Sequence, residues 1–143
     1  MAKPSSLSLS LSLGKASILV KTKESYLVWL SISPHIPKNA RYTIGTRIDN
    51  KFLDLLDDSY LAYFSRKENR KVKIDTCILT LDTLKFLISI AWEAKFVSHK
   101  QYEDVSLKLS EVGKMLAGWQ KYLDEGTFAR RNASSDSNHP RTN

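Results

Sequence analysis

SHKQYEDVSLKLSEVGKMLAGWQKYL, residues 98–123, decides the fold. Its apolar positions Tyr102, Val105, Leu109, Val112, Leu116, Trp119 and Leu123 step by three and four in alternation. That spacing puts them in one seam along a helix, the pattern by which helices pack side by side in a left-handed bundle. The stretch opens with Ser98-His99-Lys100-Gln101, a capping box in which the serine oxygen and the glutamine side chain each bond the other's backbone amide.

Working backwards, the same stepping recurs at Ile74, Cys77, Leu81, Leu84, Ile88 and Ala91, which places a helix upstream. Phe86, Leu87 and Trp92 widen its stripe beyond one seam, as expected of a helix that touches more than one neighbour or carries a subunit interface. Ser65-Arg66-Lys67-Glu68 has the S-x-x-E form of a second capping box, which predicts that this helix starts near Arg66. Before it, Ile48, Phe52, Leu55, Leu56, Tyr60 and Tyr63 form a stripe on a helix expected to start between Asn39 and Thr43 and to end near Phe64. Gly45 weakens its first turn. Pro34 and Pro37 stop a further helix, expected from Lys15 to Ile32.

Four helices joined by short loops pack most economically as an up-down-up-down antiparallel bundle, so the expected class is all-α over residues 15–125. Residues 1–14, rich in alternating serine and leucine, have a strand-like period without a second strand to pair with, and are expected to be a low-complexity tail. Residues 126–143 have too few apolar side chains to offset their ordering entropy, and are expected to be a flexible, mildly basic tail.

Composition narrows the function. The 143 residues and 42% apolar content suit one core. Cys77 is the only cysteine, which excludes internal disulfides and thiolate zinc clusters and fits a reducing, intracellular setting. The uncharged run from Pro4 to Gly14 is too short to cross a bilayer. Serine interrupts every leucine there, so no signal peptide is expected.

Catalytic chemistry finds little support. His35, His99 and His139 have no i, i+4 partner of the kind that shares a metal, and no Glu-x-x-His motif of di-metal bundles is present. Cys77 sits on the apolar seam, where a thiol behaves as a small hydrophobe. Gly14-Lys15-Ala16-Ser17 resembles the end of a phosphate-binding loop, but Leu9 stands where its first glycine belongs. No metal, no cofactor and no catalytic residue is expected.

Charge is more informative. With 22 Lys plus Arg against 15 Asp plus Glu, the formal charge is +7 and the pI near 9.5, a balance that favours an anionic partner. Arg66, Lys67, Arg70, Lys71 and Lys73 put five cations into eight positions, interrupted only by the acid Glu68. They fall on the first turns of a helix, whose dipole already makes that end positive, so an anion bound there would relieve the repulsion. Lys38, Arg41 and Arg47 form a possible second basic patch, with pairing to Asp49 as the plainer role. Tyr60, Tyr63 and Phe64 could stack on bases, but their helical spacing favours core packing.

Three stretches carry a resemblance to a known family: Ile36-Pro37-Lys38-Asn39-Ala40-Arg41-Tyr42-Thr43-Ile44-Gly45, Lys100-Gln101-Tyr102-Glu103, and Glu111-Val112-Gly113-Lys114-Met115-Leu116-Ala117-Gly118-Trp119. With Tyr26 and Trp29 in the first helix, their order resembles the accessory variability determinant (Avd) proteins of diversity-generating retroelements over about residues 20–123. Family members often have Phe-Pro-Arg and Gly-Gly-Trp where this chain has Ile36-Pro37-Lys38 and Ala117-Gly118-Trp119.

The resemblance implies a cytoplasmic, bacterial, archaeal or phage-encoded protein that is not an enzyme. It implies a homopentameric ring with a basic surface that binds a reverse transcriptase and its template RNA, or DNA or an RNA/DNA hybrid, to support mutagenic retrohoming. Trp92, Gly113, Gly118 and Trp119 are the expected packing or oligomer positions. A broader set of four-helix-bundle proteins, some encoded in intervening sequences of ribosomal RNA genes, has a similar last helix and needs no polymerase. It implies a stand-alone protein-binding oligomer as the alternative.

Overall fold

The computed structural model describes residues 6–137, with side chains described over 17–126. Four helices, α1 (Ser6–Ile32), α2 (Thr46–Phe64), α3 (Lys67–Glu93) and α4 (His99–Ser137), make up the fold, and the described residues include no strand. α1 packs on α2 and α4, and α3 packs on α2 and α4, so α1 and α3 occupy diagonal corners of an up-down-up-down bundle.

The seams read from α3 and α4 form the core. Ile74, Cys77, Leu81, Leu84, Ile88 and Ala91 are all buried, as are Val105, Leu109, Val112 and Leu116. Trp29 of α1 is fully buried, lies over Phe52 of α2 with ring centroids 5.8 Å apart, and donates its indole N–H to Asp49. Asp49 therefore serves the core tryptophan rather than an arginine. Where the inner stripe meets hydroxyl residues, the helix satisfies them itself: Thr22 donates to the Ile18 carbonyl and Ser25 to that of Thr22. Across the α1–α4 seam, Lys21 pairs with Glu111 at 3.3 Å and Lys108 with Glu24 at 3.5 Å. The hydrogen bond and charge of Glu111, aided by Glu24, hold the half-buried Lys21 ammonium above its ordinary pKa.

The N-terminal reading needs correction. The chain is helical from Ser6, inside the expected tail, whose residues 1–5 lie outside the described residues. Alternation gives a strand only beside a partner edge, whereas leucine is a strong helix former and no proline lies between Pro4 and Ile32. At the other end α4 continues to Ser137, and only residues 138–143 of the expected tail lie outside the described residues. The polar composition there limits burial, but it does not forbid a helix.

Between α1 and α2 the chain makes a 3-10 turn at Ser33–His35, one α turn at Lys38–Ala40 and a π turn at Arg41–Gly45. Buried Ile36 pins this connection to the core between its two prolines. The π turn replaces the simple first turn expected at Gly45. Thr43 donates to the Ala40 carbonyl and Thr46 to that of Arg41, and both bonds serve acceptors at the turn. A β-carbon on buried Gly45 would stand 3.4 Å from the Ala40 oxygen, close enough to crowd the widened turn.

The two capping boxes part company. Ser98 and Gln101 exchange both expected bonds, at 3.1 and 2.9 Å. Ser65 instead donates to the Ala62 carbonyl at 2.8 Å, and Arg66 occupies the N-cap of α3 without a side-chain cap bond. The helix starts at Lys67, so Ser65 stands one residue too early for its oxygen to reach the first-turn amides.

Candidate nucleic-acid interface

The bundle separates the eight candidate cations into two groups. Arg66, Lys67, Arg70, Lys71 and Lys73 gather on the first turns of α3. Lys38, Arg41 and Arg47 lie at the opposite end of α2, whose 19 residues span about 27 Å at 1.5 Å per residue.

Within the α3 group the side chains divide again. Arg70 donates to the Ser65 carbonyl at 3.0 Å and lies 5.8 Å from the centre of the Trp119 ring, so it ties α4 to the α2–α3 connection. Its Nε is buried without a hydrogen-bond partner among the described residues. Lys71 pairs with Asp124 of α4 at 3.0 Å, and nearby Gln120 donates to Asp75 at 2.8 Å. Arg66, Lys67 and Lys73 are exposed and have no hydrogen bond or ion pair from their side chains among the described residues. These three present charge to solvent.

In the other group, Arg41 is a structural clamp. Its guanidinium donates to the carbonyls of Pro34 at 2.8 Å and Ile36 at 3.2 Å and so closes the proline loop. Lys38 and Arg47 are exposed on either side of it.

The expected packing positions also resolve individually. Trp92 is half-buried and stacks on Tyr102 at 4.4 Å, its planes 5° from parallel, with the tilted His99 ring centred 5.8 Å away. Gly113 faces α3, where a β-carbon would approach Lys85 at 3.3 Å and Leu81 at 3.4 Å. Gly118 is exposed, with open space where its β-carbon would be. Trp119 is half-buried near Arg70.

Two aromatic side chains expected in the core lie at the surface. Tyr60 is 56% exposed and Phe64 62% exposed, at the end of α2 that leads into the α3 cations. Their rings lie 4.6 Å apart, and Tyr63 meets Phe64 edge-on at 4.7 Å. The core of α2 runs instead through Ile48, Phe52, Leu55, Ser59 and Ala62. The signal was present: the four-three stepping of the first three residues continues onto Ser59 and Ala62, and hydrophobicity alone drew attention to the larger neighbours.

Cys77 is buried, and its thiol is pushed up to about 12, first by desolvation and then by the Asp58 carboxylate, which favour the neutral form. His139 lies outside the described residues. Among the described residues no three His, Cys, Asp or Glu side chains are grouped to hold a metal, and no helix is long and apolar enough to cross a membrane.

The fold places this protein in the class of all-α four-helix bundles, with exposed cations and aromatic rings together at one end. Within that class, the bAvd-like family model matches residues 18–123, and the chain belongs to the bAvd-like family. No curated protein and no solved structure matches it.

Proposed function

We propose that this protein is the non-catalytic accessory subunit of a diversity-generating retroelement. It binds the reverse transcriptase and its template RNA and supports mutagenic complementary-DNA synthesis and retrohoming. Family membership over residues 18–123 carries this reading. Arg66, Lys67 and Lys73, exposed and without an ion pair among the described residues, supply the phosphate-binding chemistry it requires, and DNA or an RNA/DNA hybrid offers the same backbone charge.

A ring of identical subunits, five in the proposed assembly, finds support in two outward apolar ridges. Val72, Leu79 and Phe86 recur every seven residues on α3, opposite its core stripe, and are 64–69% exposed. Val20 and Leu27 form the corresponding ridge on α1, at the diagonal corner. Lys23 lies between the α1 pair and Asp82 between Leu79 and Phe86, and neither has an ion pair among the described residues. Apposing the α1 ridge of one subunit to the α3 ridge of the next buries both and pairs opposite charges. Such a head-to-tail contact closes a ring when its rotation permits.

Light scattering with and without the reverse transcriptase encoded beside this gene tests the proposal. A mass near five times 16.3 kDa that grows on adding the polymerase supports it. A particle indifferent to both polymerase and RNA favours the stand-alone bundle instead.

A further inference from the structure

Building on the RNA-binding reading, we infer that Tyr60 and Phe64 form a stacking platform for unpaired nucleotide bases, with Arg66 and Lys67 holding the adjoining phosphates. Tyr60 and Phe64 are each more than half exposed, and their rings lie 4.6 Å apart, which makes one continuous aromatic patch at the end of α2. Their setting defines the occupant. Arg66 and Lys67 follow Phe64 within three residues, are exposed, and have no intrachain partner among the described residues.

A second copy of the same patch would bring like charges together. A purely apolar partner would leave the cations desolvated and unpaired. A nucleotide supplies an aromatic face and an anion a few ångströms apart, matching both features.

The bases must be unpaired. In a duplex each base is already covered above and below by its neighbours, so rings projecting from a helix end reach only phosphates. The path of the strand is also bounded: Asp57, one helical turn before Tyr60, repels phosphate along α2. Glu68, exposed beside Lys67 on α3, does the same there, so phosphates are confined to the stretch of Arg66 and Lys67 between the two acids.

Three ligands of equal length separate stacking from charge: a single-stranded RNA of about ten nucleotides, an abasic strand with the same backbone, and an RNA duplex. The wild-type protein is expected to prefer the base-bearing strand over the abasic one by about tenfold or more. Phe64→Leu combined with Tyr60→Leu keeps apolar bulk but removes the rings. It should abolish that preference and leave the salt dependence unchanged. Arg66→Gln with Lys67→Gln should lower the salt slope for both strands and keep the preference.

Equal affinity of the wild type for base-bearing and abasic strands overturns the platform while leaving phosphate binding intact. A preference that survives loss of both rings also overturns it. If neither strand binds but an acidic peptide does, the RNA-binding reading fails and the platform fails with it. All four positions are exposed, and a circular-dichroism melt of each variant confirms that the bundle persists.

Discussion

The two ends of the bundle are built differently. At one, Arg41 clamps the carbonyls of Pro34 and Ile36, buried Ile36 anchors the loop, and Ser98 and Gln101 cap α4 reciprocally. At the other, α3 starts without a side-chain cap, three exposed cations have no partner among the described residues, and two aromatic rings face solvent. Both ends carry exposed cations, Lys38 and Arg47 at the first, but only the first closes its loop with a side-chain clamp and starts its helix with a reciprocal side-chain cap. The proposed binding surface lies at the end where the start of α3 is left without a side-chain cap.

The sharpest break in that contrast comes from the core beside the clamped end. Trp29→Ala removes a fully buried ring and strands the Asp49 carboxylate, and is expected to cost about 3–5 kcal/mol in urea denaturation. Replacing Arg66, Lys67 and Lys73 together with glutamine should change stability by less than about 1 kcal/mol, because those side chains are exposed and make no hydrogen bond or ion pair among the described residues. Comparable losses from the two variants would erase the distinction between the ends.

Arginines sharpen it further. Arg41→Ala loses two bonds from a charged donor to backbone carbonyls and should cost about 1–2 kcal/mol. Arg66→Ala should stay within about 0.5 kcal/mol in the same assay, yet weaken RNA binding. Reversal of that pattern would make Arg41 the ligand-binding residue and Arg66 the structural one.

How far the sequence was legible follows the same division. Most of the α3 and α4 seams was readable because burial there coincides with apolar side chains from Ile74 to Leu116, while Tyr102, Trp119 and Leu123 are only partly buried and Thr80 joins the α3 face. On α2 that coincidence fails: the core continues onto Ser59 and Ala62, so the bulky Tyr60 and Phe64 are displaced to the surface. The basic cluster was legible as a group, but its division was not. The contacts of Lys71 with Asp124 and of Arg70 with Trp119 depend on how α3 and α4 lie against each other, which local spacing does not encode. The π turn was missed for a similar reason. Two threonine hydroxyls, bonding carbonyls three and five residues back, serve the widened turn that the pattern alone gave no cause to expect.

Cys77 tests the middle of the molecule, between the ends. Its thiol has a reference pKa of 9.0 and is raised to about 12 when folded. Above pH 9 the unfolded chain releases this proton while the folded chain keeps it, so this group's linkage lowers stability as pH rises from 9 towards 12. Cys77→Ala should lose stability at neutral pH through its cavity but flatten that alkaline slope, as read by denaturation at several pH values. A thiol reagent at pH 8 should react with the wild type only as fast as the bundle opens. Rapid native-state modification would mean that α3 does not bury this position.

The smallest effect lies in the turn between α3 and α4, at the clamped end. Lys95 has a φ of 66°, and its N–H bonds the Trp92 carbonyl while that of Phe96 bonds Ala91, which is the pattern of a helix stop usually occupied by glycine. A β-carbon in that left-handed conformation costs about 1–2 kcal/mol, and glycine removes the cost while loosening the unfolded chain by about 0.4–1 kcal/mol. Lys95→Gly should therefore stabilise the protein by about 0.5–1 kcal/mol, visible as a higher midpoint in urea. Lys95→Ala, which retains the β-carbon, should not. If alanine stabilises as much as glycine, the gain comes from removing the lysine side chain, and the backbone at this end carries no strain to relieve.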